Sequence, residues 1–137
     1  MTRGYRNNNP LNIRKSIDSW LGEVIPSTDT AFKQFKTMAY GYRAAFKLLY
    51  NYQHRYGCYL LSDFINRWAP PKENNTIAYI KSVCEKCGLS DVSTVCTTDA
   101  GQMMRIVSAM AFVENGEPAD MLQVRAGWEL FANEIMV

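Results

Sequence analysis

From about Ala39 onward the hydrophobic positions recur at helical spacing, whereas before it they do not. Ala45, Leu48, Leu49, Tyr52 and Tyr56 line one face, and Gly57 stands where a glycine commonly ends a helix. A shorter helix fits Leu60 to Arg67, stopped by Pro70-Pro71, which cannot extend a helix and restrict the residue before them. A third is predicted after Asn75 as far as Cys87, with Asn74, Asn75 and Thr76 as capping candidates and Gly88 closing it. Leu89–Cys96 reads as a loop. Thr97 or Thr98 then caps a long fourth helix, with Asp99 in its first turn and Asn115-Gly116 as its stop. Pro118 suits the first turn of a last helix, whose predicted buried stripe is Met121, Val124, Trp128, Phe131 and Ile135. Residues 1–38 are polar and punctuated by Asn9-Pro10, Pro26 and Ser27-Thr-Asp-Thr. Short alternating stretches around Trp20–Ile25 and Ala31–Phe35 predict a small hairpin there. The pattern describes one mainly α domain over residues 1–137, with a small β appendage near its start.

Composition narrows this picture without redirecting it. The 137 residues suffice for one core, and 47% hydrophobic with 20% charged is the balance of a globular protein. A formal net charge of +2 is too small to argue for nucleic acid, and it tolerates an anionic polymer without demanding one. No apolar run has signal-peptide length or approaches a membrane span, so synthesis in the cytoplasm without membrane insertion is expected. Of the four cysteines, Cys84 and Cys87 continue a stripe begun by Ile77 and Ile80, which favours buried thiols over a disulfide. With one histidine and a single CxxC, a zinc site is not expected, nor is any cofactor. His54 lies among tyrosine and arginine at a helix end and reads as a surface residue.

The chemistry enters at the fourth helix. Met103, Val107 and Met110 form its apolar stripe, and the next position on that stripe is Glu114. Unpaired glutamate is seldom buried. Burial and the negative helix end both disfavour ionisation, and an acid that keeps its proton is what glycosidic cleavage requires. The alternative is that the stripe ends at this last turn, with Glu114 wet or paired to an arginine.

The motifs Arg6-Asn-Asn-Asn-Pro-Leu-Asn-Ile-Arg14, Trp20-Leu-Gly22 and Phe32-Lys-Gln-Phe35 add a second line of inference. So do Gly41-Tyr-Arg-Ala44, Arg67-Trp-Ala-Pro-Pro-Lys-Glu-Asn-Asn-Thr76 with Tyr79-Ile80, and Glu114-Asn-Gly116. Together, in this order over nearly the whole chain, they resemble small phage-encoded and Bacteroidetes lytic or structural proteins of the lysozyme-like superfamily. More distantly the pattern is similar to flagellar-type bacterial glucosaminidases that cut peptidoglycan. In that family a helix ending in a catalytic Glu comes first, followed by an Asn-Asn turn, a hairpin with a second acid, and an aromatic-Ala segment with a later Tyr. Here Asn8-Asn9, Ser27-Thr-Asp29, Trp68-Ala69 and Tyr79 keep that order, while the Glu helix follows them, as in a circular permutation. Asp29 stands where the family has Glu, and Trp68 where it has Tyr.

The resemblance implies a lysozyme-like fold and cleavage of peptidoglycan glycan strands. Glu114 is then the general acid, and the substrate's N-acetyl group or 6-hydroxyl serves as internal nucleophile. Asp29 is the second carboxylate, or a solvated turn residue. Asn8, Asn9 and Asn12 offer amides to sugar hydroxyls and acetamides, although asparagine before Pro10 equally makes a turn. Tyr79 orients Glu114 or edges the core. Trp68 stacks on a sugar or anchors the Pro70-Pro71 turn, and Glu73 lines the cleft or sits on the surface. The implied partners are a peptidoglycan strand and a phage particle, for a monomer that reaches the wall through a virion or host lysis. The competing readings are an inactive virion structural protein and a non-catalytic wall-binding module on the same fold.

Overall fold

The computed structural model describes residues 1–135. Helix α1 (Arg3–Arg6) is followed by a two-stranded antiparallel sheet of β1 (Glu23–Val24) and β2 (Gln34–Phe35). Glu23 pairs with Phe35 and Val24 with Gln34, within the two stretches whose alternation predicts a hairpin. Among the described residues five more helices follow: α2 (Met38–Tyr56), α3 (Leu61–Trp68), α4 (Thr76–Cys87), α5 (Ala100–Asn115) and α6 (Met121–Ile135). The architecture is mainly helical with a small sheet near the start. Among the described residues no helix is long and apolar enough to cross a membrane.

The core is built on α2 against α6. Tyr42, Phe46 and Leu49 of α2 meet Val124, Trp128 and Phe131 of α6, all buried, and Phe46 meets Trp128 edge-on with centroids 5.1 Å apart. Gly127 makes this approach feasible: a Cβ there would lie 2.8 Å from the Ala39 carbonyl oxygen and 2.9 Å from the Arg43 nitrogen. Helix α5 supplies Met103, Ile106, Val107 and Met110 from the other side, all at 1% exposure or less.

Several boundaries differ from the sequence expectation. Helix α5 is capped by Asp99, whose carboxylate accepts from the Gln102 N–H at 2.9 Å, while Thr97 is buried and donates to Gln53. Pro118 lies before α6, which begins at Met121 and exposes that residue by half. The segment ahead of it is engaged elsewhere, because Tyr5 donates its hydroxyl to the Glu117 carbonyl at 2.9 Å. On α4 the inward position of the first turn goes to Thr76, whose hydroxyl binds the Ala69 carbonyl, and Ile77 is 83% exposed. Helix α1 escapes periodicity altogether, since four residues hold too little pattern. The four cysteines are free thiols, and Cys84 is only half-buried.

Candidate functional site: a groove around Glu114

Glu114 occupies the last turn of α5, one residue before its end, and Gly116 closes the helix in a left-handed conformation. Its side of the helix continues from Met103, Val107 and Met110 out of the core to the rim of a groove. Three donors from three separate segments converge on its carboxyl group. Tyr79 of α4 donates its hydroxyl to Oε2 at 2.8 Å, and Trp68 of α3 donates its indole N–H to the same oxygen at 3.2 Å. Asn12, from the loop before the hairpin, donates to Oε1 at 3.2 Å. Trp68 also donates to the Tyr79 hydroxyl at 3.1 Å, so the three side chains form a closed ring of hydrogen bonds. Burial, reinforced by the negative charge of Glu114, drives the Tyr79 phenol well above its ordinary value, so it stays a donor.

The chain places Asn12 there by tying its N-terminus to the end of α5. Thr2 donates to the Asn115 Oδ1 at 2.7 Å, and Asn115 donates to the Pro10 carbonyl at 2.8 Å. A Cβ on Gly4 would lie 2.5 Å from the Asn115 Oδ1 and 2.8 Å from the Asn12 Oδ1, so only glycine lets α1 pass this close. Asn12 itself has φ of 55°, the left-handed region that asparagine tolerates better than most residues.

The groove has a volume of about 320 Å³. Asn12, Trp68, Glu73 and Glu114 line it, together with Arg14, Phe32, Tyr52, Ala69 and Asn74. Glu73 and Asn74 come from the exposed loop between α3 and α4, anchored by the bond between Thr76 and Ala69. Phe32 lies beneath two guanidinium groups, Arg3 at 4.5 Å and Arg14 at 5.3 Å from its ring centre. The arrangement is chemically legible: a fixed carboxyl group, a second carboxylate at the edge, amide donors, and three aromatic rings in one concavity.

Three residues singled out in the sequence lie elsewhere. Asn9 is fully buried, its amide donating to the Ile13 and Lys33 carbonyls at 3.0 and 2.9 Å while its oxygen accepts from the Ile13 N–H. Asn8 adopts φ of 54° and donates to the Phe35 carbonyl at 3.0 Å. These two amides clasp the hairpin to the N-terminal segment. Asp29 is occupied in the same region: Arg3 grips it through both carboxylate oxygens at 2.8 and 2.7 Å, and Asn7 and the Ala31 and Phe32 N–H groups complete its shell. The Arg3 guanidinium, then the Ala31 N–H and the Asn7 amide, hold its carboxyl far below the usual carboxylate range. Glu73 is therefore the second carboxylate that shares the groove with Glu114.

Arg14, Phe32, Tyr52, Ala69 and Asn74 were not singled out as site residues. Arg14 and Phe32 stand at the ends of recognisable motifs, which was the available signal. Tyr52 is hidden by its place on the apolar stripe of α2, and burial raises its phenol to about 12. Among the described residues no group of histidine, cysteine, aspartate and glutamate is arranged to hold a metal.

No protein-family model matches the chain. It is similar to Protein P5 of Pseudoalteromonas phage PM2, 37% identical over 131 residues that span 93% of this chain and 80% of that protein. At that identity and coverage the chain belongs to the same family as the phage PM2 protein P5.

Proposed function

We propose that the groove binds a peptidoglycan glycan strand and cleaves it, with Glu114 as the general acid. The observation that carries this reading is the convergence of Asn12, Trp68 and Tyr79 on one carboxyl group at the rim of a groove. Such preorganisation fixes a carboxyl group within reach of a substrate atom, and general acid catalysis depends on that geometry first. In the proposed reaction the Glu114 carboxylate takes up a proton from solvent and delivers it to the glycosidic oxygen as the bond to the sugar carbon breaks, while an N-acetyl or 6-hydroxyl oxygen of the substrate bonds to that carbon. Phe32, Tyr52 and Trp68 offer ring faces to sugar faces. Glu73 takes the part that the resemblance assigned to Asp29, either steadying the developing positive charge or orienting a water. An internal nucleophile from the substrate leaves Glu73 helpful without being obligatory. The protein acts as a monomer and reaches the wall with a phage particle or at lysis.

The test is turnover of purified cell wall by wild type and Glu114→Gln. Loss of at least a hundred-fold in rate in a folded variant is expected, at the low end of what general acid catalysis contributes. Equal clearing by the two proteins overturns the assignment.

A second reading has its own support in the kinship with a phage protein. In it the protein is a structural component of a virion, and the ring around Glu114 only ties α3, α4, α5 and the N-terminal loop together. That reading expects no turnover of wall, firm association with purified particles, and a stability loss as the sole effect of Glu114 substitutions.

A further inference from the structure

A second concavity runs along the outer face of α2, away from the ring around Glu114. It consists of two adjoining hollows of about 250 and 530 Å³ that share Asp18, Trp20, Asn51 and Arg55. The larger hollow reaches Tyr52, which also lines the Glu114 groove, so this ring is the wall between them.

The chemistry of the trough is uneven in sign. Lys47, Arg55 and Arg67 line it, and among the described residues none of the three forms an ion pair. Arg43 is also there, but Glu134 neutralises it at 2.7 Å. Among the described residues Asp18 is the one carboxylate lining the trough. Three unpaired cations against one acid stand out in a chain whose net charge is only +2. The aromatic groups are interleaved with them: the Arg67 guanidinium lies 3.2 Å above the centre of Tyr56 and 5.5 Å from that of Tyr52. Stacking holds a guanidinium flat and leaves its N–H edges free for a carboxylate.

We propose that this trough is the binding arm for an acidic linear glycan, whose carboxylate-bearing substituents dock on Lys47, Arg55 and Arg67. The sugar faces lie on Trp20, Tyr52 and Tyr56, and the strand continues over Tyr52 into the Glu114 groove. The inference rests on reading that groove as a glycan site, and it names what the substrate must carry: repeated carboxylates beside neutral sugar rings. A neutral chitooligosaccharide lacks the first of these and leaves the cations of the trough unused.

The experiment measures binding of soluble peptidoglycan strands to the full chain carrying Glu114→Gln, which removes turnover. The probes are untreated strands, the same strands with their carboxylates amidated, and a single-stranded oligonucleotide. Adding Lys47→Glu and Arg55→Glu is expected to weaken binding of untreated strands on the order of ten-fold, since each exposed ion pair is lost and reversed. Amidated strands should bind both proteins equally weakly, and raised salt should erase the difference between untreated and amidated strands. Should the reversed pair fail to fold, Lys47→Gln with Arg55→Gln is read in its place, with a loss of roughly three-fold expected. Binding of untreated strands by the reversed pair within two-fold of the parent, binding of amidated strands to the parent as tight as that of untreated strands, or tighter binding of the oligonucleotide overturns the proposal. Cleavage by wild type is scored separately. Uncut strands with charge-dependent binding refute the Glu114 reading alone, and cut strands with charge-independent binding refute the trough alone.

Discussion

Tyr79→Phe isolates one bond of the ring around Glu114. The substitution deletes a single oxygen, keeps the ring in its pocket, and removes the hydroxyl that donates to Glu114 Oε2 at 2.8 Å. It strands nobody: Trp68 loses one acceptor but still donates to the same oxygen at 3.2 Å. The loss is then the net value of a hydrogen bond to a carboxylate, ~1.5–3 kcal/mol, taken at its lower end because Trp68 remains, so about 1.5 kcal/mol. For a domain of this size that corresponds to a fall of roughly 6 °C in Tm. The assay is urea denaturation with the m-value held equal, followed by the same substitution in a Glu114→Gln background. There the acceptor is a neutral amide, and the effect should shrink to about half, ~0.7 kcal/mol, in a double-mutant cycle. A Tyr79→Phe loss below about 0.5 kcal/mol, or one unchanged by Glu114→Gln, refutes the coupling and with it the positioning role of Tyr79.

Two further outcomes follow from the N-terminal clasp. Asp29 has its folded value held far below the unfolded one, first by Arg3, so its contribution is complete above about pH 4 and is lost as pH falls toward the folded value. Denaturation midpoints between pH 7 and pH 2 should therefore drop more steeply for wild type than for Asp29→Asn, and parallel curves would refute that account. Gly41→Ala would put a Cβ 1.9 Å from the Asn8 carbonyl oxygen, a backbone atom that cannot swing away. A loss of about 3 kcal/mol or more is expected, visible as a lowered Tm, and a melt within a degree of wild type would show that the clasp yields freely.

Secondary structure was legible because it depends on near neighbours. Glycines at 57, 88 and 116 end their helices in left-handed conformations, and Asn75 caps α4, all from chemistry within a few residues. Glu114 was legible for the same reason, as a carboxylate continuing the stripe of Met103, Val107 and Met110. The partners of a polar side chain obey no such local rule. Asn8, Asn9 and Asn12 look alike in sequence, yet two lock the hairpin to the N-terminal segment and the third reaches Glu114, 102 residues away. Asp29 is gripped by Arg3 and Glu73 lines the groove instead, because Arg3 folds back over the hairpin, a contact set by packing. The sequence by itself determined the five longer helices, the small hairpin and the carboxylate that continues an apolar stripe. Tertiary structure alone decided which side chains meet there, because hydrogen bonds between distant segments depend on how α1, α3, α4 and α5 dock, and periodicity along one helix carries no record of its neighbours.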